Sequence, residues 1–188
     1  QLHRPIDGYP VLARAGAIVP LTLPDDYGTG NPDGLEVHVF AGADGDFDWA
    51  APDEEVHRFV NERERTVGTY LYGRRMFETM RAWDEDGWLA DQPDFIHQYA
   101  AIWRAASKVV YSATLADPGA ERTRVERHLN LRSVRIAKES SDTDLSVSGP
   151  TLAAEFLRAG LVDELSLYVA PVVVGGGTRL LPAGLHLN

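Results

Sequence analysis

At 188 residues, with 44% hydrophobic and 24% charged side chains, the chain has apolar material for one full core and too little length for two. A formal net charge of -10 argues against nucleic acid, which demands clustered Lys and Arg, yet leaves room for a phosphate-bearing cofactor in one pocket. There is no cysteine, which excludes disulfides, thiolate zinc sites and Cys nucleophiles and agrees with a cytoplasmic protein, and no run approaches the roughly 20 apolar residues of a membrane span.

The chain opens Gln1-Leu2-His3-Arg4-Pro5, neither a start residue nor a signal peptide, so it is expected to begin inside a longer reading frame or to have been trimmed. Residues 1–46 are rich in Gly, Pro and Asp and hold two short β-type runs. The first, VLARAGAIVPL (11–21), is apolar with Gly16 and Pro20 as punctuation. The second, LEVHVF (35–40), alternates large apolar and polar residues with the period of a half-buried strand. Turn dipeptides fill the segment between them.

From Asp53 the period changes. Residues 54–65 predict a helix with acidic residues in its first turn and Val56, Phe59 and Val60 on one face. A strand is expected at 68–72 (GTYLY), and GRRMFETM then opens a second helix. A third helix is expected over 96–106 with Tyr99, Ile102 and Trp103 inward. Strands follow at 109–111 and 124–126, a helix at 131–139, and a strand at 144–147. Residues 151–159 predict a helix closed by Gly160. ELSLYVAPVVV (164–174) is the strongest strand and runs into Gly175, Gly176 and Gly177. Strands alternating with helices at this spacing predict an α/β fold with a mostly parallel sheet covered on both faces.

Three strand ends carry the chemical signal, because open α/β sheets bind ligands where strands end and helix N-termini point free N–H groups outward. Gly73-Arg74-Arg75 offers a close approach and two cations. Ser112-Ala113-Thr114 offers two hydroxyls. Ser148-Gly149-Pro150-Thr151 is a tight turn into a helix. Each also has a plain structural reading: a turn before a solvated helix face, a pair of capping residues, and a common strand–helix joint. Together they point to a phosphate-bearing cofactor without naming it. The six His residues show no metal-ligand spacing, and no Ser-His-Asp set can be assigned.

The stretch FDWAAPDEEVHRFVNERERTVGTYLYGRRMFETM, the segment VVYSATL, and DLSVSGPTLAAEFLRAGLVDELSLYVAPVVVGGGTRLLP resemble the dihydrofolate reductase-like proteins of the riboflavin-reductase (RibD C-terminal) type, over roughly residues 47–186. The resemblance implies a three-layer αβα sandwich, NADPH as cofactor and hydride transfer to a small heterocyclic or carbonyl substrate. It implies that Gly73, Arg74 and Arg75 hold the adenosine-side phosphates with Ser112 nearby, and that Ser148, Gly149, Thr151 and Leu152 wrap the pyrophosphate. The family's usual Gly-Gly-Pro stands here as Ser148-Gly149-Pro150. Its usual first strand and Ser-Leu-Asp-Gly-type loop are absent, and its last pair of strands is not reached.

In place of that first strand, DGYPVLARAGAIVPL and NPDGLEVHVFAGADGDF resemble the β-rich region after the barrel of family 31 glycoside hydrolases. The expected organisation is therefore a segment of foreign origin over 1–46, joined near residues 43–47 to a reductase-like domain over 47–188. Residues 35–40 would supply a strand to the vacated slot. Direct hydride transfer would make Asp48 a polar anchor and Trp49 a ring wall of the substrate pocket, with a turn residue and a core anchor as their structural alternatives. No catalytic acid is assigned. The partner set is a small-molecule substrate and a second copy in a homodimer, with neither nucleic acid nor membrane. A non-catalytic chimera that folds and oligomerises without turnover is the rival reading. Carbohydrate handling by the N-terminal segment is disfavoured for want of a carboxylate pair or aromatic platform.

Overall fold

A computed structural model of the chain describes residues 18–20, 39–41, 51–170, 177–182 and 184. Its elements, in chain order, begin with strands β1 (Ile18–Pro20) and β2 (Val39–Ala41), then helix α1 (Glu54–Glu64), strand β3 (Val67–Gly73) and helix α2 (Arg74–Met80). A 3-10 turn (Arg81–Asp84), α3 (Asp86–Leu89) and α4 (Asp94–Ala105) lead to β4 (Ser107–Tyr111) and β5 (Thr123–Glu126). The rest is α5 (Leu131–Glu139), β6 (Asp144–Ser148), α6 (Pro150–Arg158), β7 (Tyr168–Ala170) and β8 (Thr178–Arg179).

The centre is a parallel four-stranded sheet in the order β5-β4-β3-β6. Alternation along β3 sends Tyr70 and Tyr72 to one face and Leu71 to the other. On the first face, Tyr70, Tyr72 and Val110 pack with Val60 of α1, Phe77 of α2 and Tyr99 and Trp103 of α4. On the second, Leu71, Val109 and Val147 pack with Val134 of α5 and Phe156 of α6. Helices therefore cover both faces, the layering expected of this α/β fold. Each fully buried large side chain contributes about 1.5–3 kcal/mol of transfer free energy. Phe77, Trp83 and Trp103, all 0% exposed, anchor the first layer.

Local signals set the helix ends. Asp53 caps α1 by accepting from the Val56 N–H at 2.9 Å, and Asn130 caps α5 by accepting from Arg132 and Ser133. Gly160, at φ +62°, closes α6: its N–H reaches the Leu157 carbonyl while Leu161 N–H reaches Phe156.

Three sequence expectations are corrected. The inward face of α1 is His57, Val60, Asn61 and Glu64, not the face bearing Phe59, which is 55% exposed with its ring 6.2 Å from that of Tyr168. Polar residues win that face because partners await them: Asn61 donates to the Phe95 carbonyl at 2.8 Å and Tyr70 donates to Glu64 at 2.9 Å. On α4 the buried stripe is Phe95, Ile96, Tyr99, Ala100 and Trp103, with Ile102 only half-buried. Of the long strand expected at 164–174, only Tyr168–Ala170 is a described strand, and residues 171–174 lie outside the described residues. Glu164 instead pairs with Arg63, and Ser166 donates to Glu164 at 3.2 Å.

The N-terminal runs also pair differently from the expected slot-filling. Val39–Ala41 lies antiparallel to β8, not beside a strand of the four-stranded sheet, and residues 35–38 lie outside the described residues. It is the earlier run that supplies a parallel strand, with Ile18, Val19 and Pro20 opposite Tyr168, Val169 and Ala170. Alternation specifies which face of a strand is apolar but names no partner.

Candidate functional site

The helix after β3 packs on the first face of the sheet and the helix after β6 on the second, while β3 and β6 are neighbours. Their carboxyl ends therefore flank a topological switch point, the position where open α/β sheets form a ligand crevice. Register aligns the three strand ends singled out in the sequence: Tyr72 lies opposite Ser148, and Gly73 opposite Tyr111. Gly73, Ser112 and Gly149 thus stand side by side along one edge.

Two helices begin at this crevice, and neither has a side-chain cap. In α6 the first residue, Pro150, has no N–H, and the Ala153 N–H is already bonded to the Gly149 carbonyl at 2.9 Å. That leaves Thr151 and Leu152 with outward N–H groups at the positive end of the helix, a donor set that suits a phosphate. Thr151 is exposed and Leu152 half-buried against the second core. Ser148 is 1% exposed, so the approachable surface of this turn is Gly149 onward.

Gly149 has a backbone reason to be glycine. Its φ is +94°, and a Cβ there would sit 3.4 Å from Met76 Cβ, at the start of α2. Gly149→Ala is expected to cost about 1–2 kcal/mol of unfolding free energy in urea titration. An unchanged midpoint would show that the turn relaxes freely.

Arg74 and Arg75 are both exposed in the first turn of α2, and Arg74 makes a loose exposed pair with Glu78 at 3.4 Å. Such a pair holds little energy and leaves the guanidinium free to move to a phosphate. The Ser112 hydroxyl accepts from Thr114 N–H at 3.3 Å and Leu115 N–H at 3.0 Å, so it shapes the loop after β4 as well as bordering the crevice. The plain capping reading is thus present at Ser112.

The sequence reading passed over Arg127. Its guanidinium donates to the carbonyls of Ser112 (3.2 Å), Ala113 (3.4 Å) and Leu115 (2.7 Å), pinning the 112–115 loop at the edge of the crevice. Nothing in a lone Arg after VE distinguishes it from a solvated charge. Beside it, a groove of about 570 Å³ opens between the second face of the sheet and α5, floored by Leu71 and Val109 and bordered by Tyr111, Arg124, Glu126 and His128. Burial raises the Tyr111 hydroxyl pKa, with Arg124 and Glu126 acting on it in opposite senses.

Asp48 and Trp49 lie outside the described residues. Among the described residues no His, Asp and Glu cluster could hold a metal ion, and no helix is long and apolar enough to cross a membrane.

A family model described as the RibD C-terminal domain matches residues 39–188, beginning eight residues ahead of the boundary at 47 expected from sequence. An uncharacterized protein YyaP of Bacillus subtilis (strain 168) is 28% identical over 142 residues, covering 74% of this chain and 71% of the relative. The riboflavin biosynthesis protein RibD of Escherichia coli (strain K12) is 41% identical over 54 residues, which span 28% of this chain and 15% of that protein. The RibD of Mycobacterium tuberculosis (strain ATCC 25618 / H37Rv) is 38% identical over 52 residues, again 15% of its length. Among solved structures, a putative riboflavin biosynthesis protein from Shewanella sp. PV-4 superposes with a TM-score of 0.56 at 21% identity, covering 77% of this chain and 76% of the other. That likeness speaks for the fold.

Proposed function

The chain belongs to the RibD C-terminal domain family, within the dihydrofolate reductase-like superfamily, and from that membership we propose that it is an NADPH-dependent reductase acting on a small heterocyclic or carbonyl substrate. The observation that carries this reading is the pair of uncapped helix N-termini flanking the β3–β6 switch point. A diphosphate fits there by charge and by donor count, because Thr151 and Leu152 offer N–H groups and Gly149 keeps the approach open. Bound NADPH supplies the hydride, and the protein's task is to bind, orient and shield. Arg74 and Arg75 take the adenosine-side phosphates, and Ser112 borders them on the loop that Arg127 holds.

Titration of the purified protein with NADPH, followed by fluorescence with NADH as control, tests this reading. Saturable binding that prefers NADPH and weakens about tenfold in Arg74→Ala is the expected result. A folded protein that binds neither dinucleotide removes the reading and leaves the non-catalytic one. Binding without turnover of any heterocyclic or carbonyl substrate would likewise favour the rival.

The foreign origin of the N-terminal segment enters this reading only for residues before 39, where the family match begins. A continuous genomic reading frame shared by close relatives over residues 1–38 would remove it. The homodimer belongs here too: among the described residues β5, whose side chains are half-buried to exposed, is an outer strand of the four-stranded sheet, and an outer strand invites pairing. Sedimentation as a monomer at micromolar concentration would exclude it.

A further inference from the structure

Helix α5 is held to the sheet more thinly than its neighbour α6. Val134 is its one buried side chain, whereas α6, of the same nine-residue length, buries Ala153, Ala154, Phe156 and Leu157. Ile136 of α5 is 56% exposed. Besides the groove of about 570 Å³ on the side of β4 and β5, a cavity of about 410 Å³ opens on the side of α6, bordered by Phe156, Leu161 and Val162. The two share Leu71, Val134, Leu145 and Ser141 in their walls, so Val134 is an apolar plug between two voids. A wall that faces a void lacks the dispersion contacts of a packed one. The remaining ties are polar and peripheral: Lys138 pairs with Asp163 at 2.6 Å on the outside of the helix, and Arg135 reaches the Ala159 carbonyl at 3.5 Å. An exposed ion pair and a long hydrogen bond hold little energy.

We propose that α5 is a strap that undocks as a unit from the second face of the sheet, and that its undocking releases the 112–115 loop at the crevice edge through Arg127. Only His128 and Leu129 separate Arg127 from Asn130, the residue that caps α5. Arg127 also lines the groove under the helix, and its guanidinium donates to the carbonyls of Ser112, Ala113 and Leu115. When α5 leaves the sheet, the short connection moves with it and draws the guanidinium off that loop. The loop then keeps only its own bonds, from Thr114 and Leu115 N–H to the Ser112 hydroxyl. The first face takes no part, because Phe77, Tyr99 and Trp103 pack on the opposite side of the strands. Opening of this kind is local, and it removes one wall of the crevice while the sheet stays folded. The inference concerns the chain alone and stands whatever ligand the crevice holds.

Amide hydrogen exchange of the full chain, read residue by residue by NMR, tests the proposal. In the unsubstituted protein the α5 amides are expected to exchange at least about a hundredfold faster than those of α4 and β3. Val134→Ala should speed α5 exchange about tenfold, carry the amides of Thr114 and Leu115 with it and leave α4 unchanged. Ala137→Leu, which fills the groove beneath the helix, should slow both α5 and the loop. In an Arg127→Gln background, Val134→Ala should still open α5 but no longer alter the loop. Exchange of α5 in step with α4 and β3 in the unsubstituted protein overturns the strap, whether or not the Val134 variant folds. A loop that stays indifferent to Val134→Ala and Ala137→Leu, or that still responds without Arg127, overturns the coupling.

Discussion

Between pH 6.5 and about 4 the protein is expected to lose about 3 kcal/mol of unfolding free energy through His57 alone. This imidazole is 2% exposed, and its Nδ1 has no hydrogen-bond partner. The rings of Phe95, Tyr99 and Trp83 surround it at centroid distances of 5.1, 5.9 and 6.1 Å. Burial in that aromatic cage holds its pKa down at about 4, against 6.5 for an exposed histidine. Above pH 6.5 the ring is neutral in both folded and unfolded chains and contributes no slope. Between 6.5 and about 4 the unfolded chain takes up a proton that the folded chain refuses, so stability falls as pH falls. Below about 4 both forms are charged and the loss is complete. Carboxylates titrate over part of this range, so the informative quantity is the difference between the unsubstituted protein and His57→Leu, measured by urea unfolding at several pH values. The unsubstituted protein should lose ground to the variant steadily from pH 6.5 to 4. Parallel curves would mean that the folded state hydrates the imidazole.

That histidine also marks the limit of what could be read from the chain. Helices and strands from residue 54 to 159 fall within a few residues of their expected positions, because caps such as Asp53, Asn130 and Gly160 are local signals. The three strand ends were legible for the same reason: Gly, Ser and Pro at a strand-to-helix joint are short-range chemistry. What α1 buries was not legible. Its Val56, Phe59 and Val60 make the better apolar stripe, yet Asn61 is paid for by the carbonyl of Phe95, 34 residues away, and Glu64 by the hydroxyl of Tyr70. Such partners cannot be seen until the helices are docked. Strand pairing failed for a related reason. The run at 164–167, Glu-Leu-Ser-Leu, has none of the β-branched and aromatic residues that begin at Tyr168, and it forms irregular chain ahead of the strand. The pairing of Ile18–Pro20 with Tyr168–Ala170 joins two ends of the sequence, a match that alternation alone does not encode.

Lys108→Met is expected to gain stability relative to the unsubstituted protein at neutral pH and to lose about 3 kcal/mol of that advantage by pH 10.5. Lys108 stands opposite Tyr70 on β4 and is 1% exposed. Its ammonium lies 4.0 Å over the Trp103 ring and donates a long hydrogen bond, 3.4 Å, to the Arg104 carbonyl. Those contacts compensate little of the lost hydration, and burial lowers the pKa from 10.5 to about 8, with Asp84 opposing the shift. Below pH 8 the amine is charged in both states, and the whole penalty weighs on the folded protein. From about 8 to 10.5 the folded chain gives up its proton while the unfolded chain keeps it, so stability rises with pH through this window.

The buried tyrosines Tyr70, Tyr72 and Tyr99 act the other way near the upper end, since burial raises their pKa and the unfolded chain ionises first. They are present in both proteins, so the difference between the two stability curves isolates the lysine. A difference that is flat from pH 7 to 10.5 would mean that water reaches the ammonium in the folded state. Lys108 sits toward the amino end of β4, away from the strand ends that border the crevice. Its replacement should therefore leave the affinity for NADPH unchanged while moving the stability profile. A joint change in both would mean that the packing around Trp103 also sets the position of Gly73 and Ser112 at the far end of the sheet.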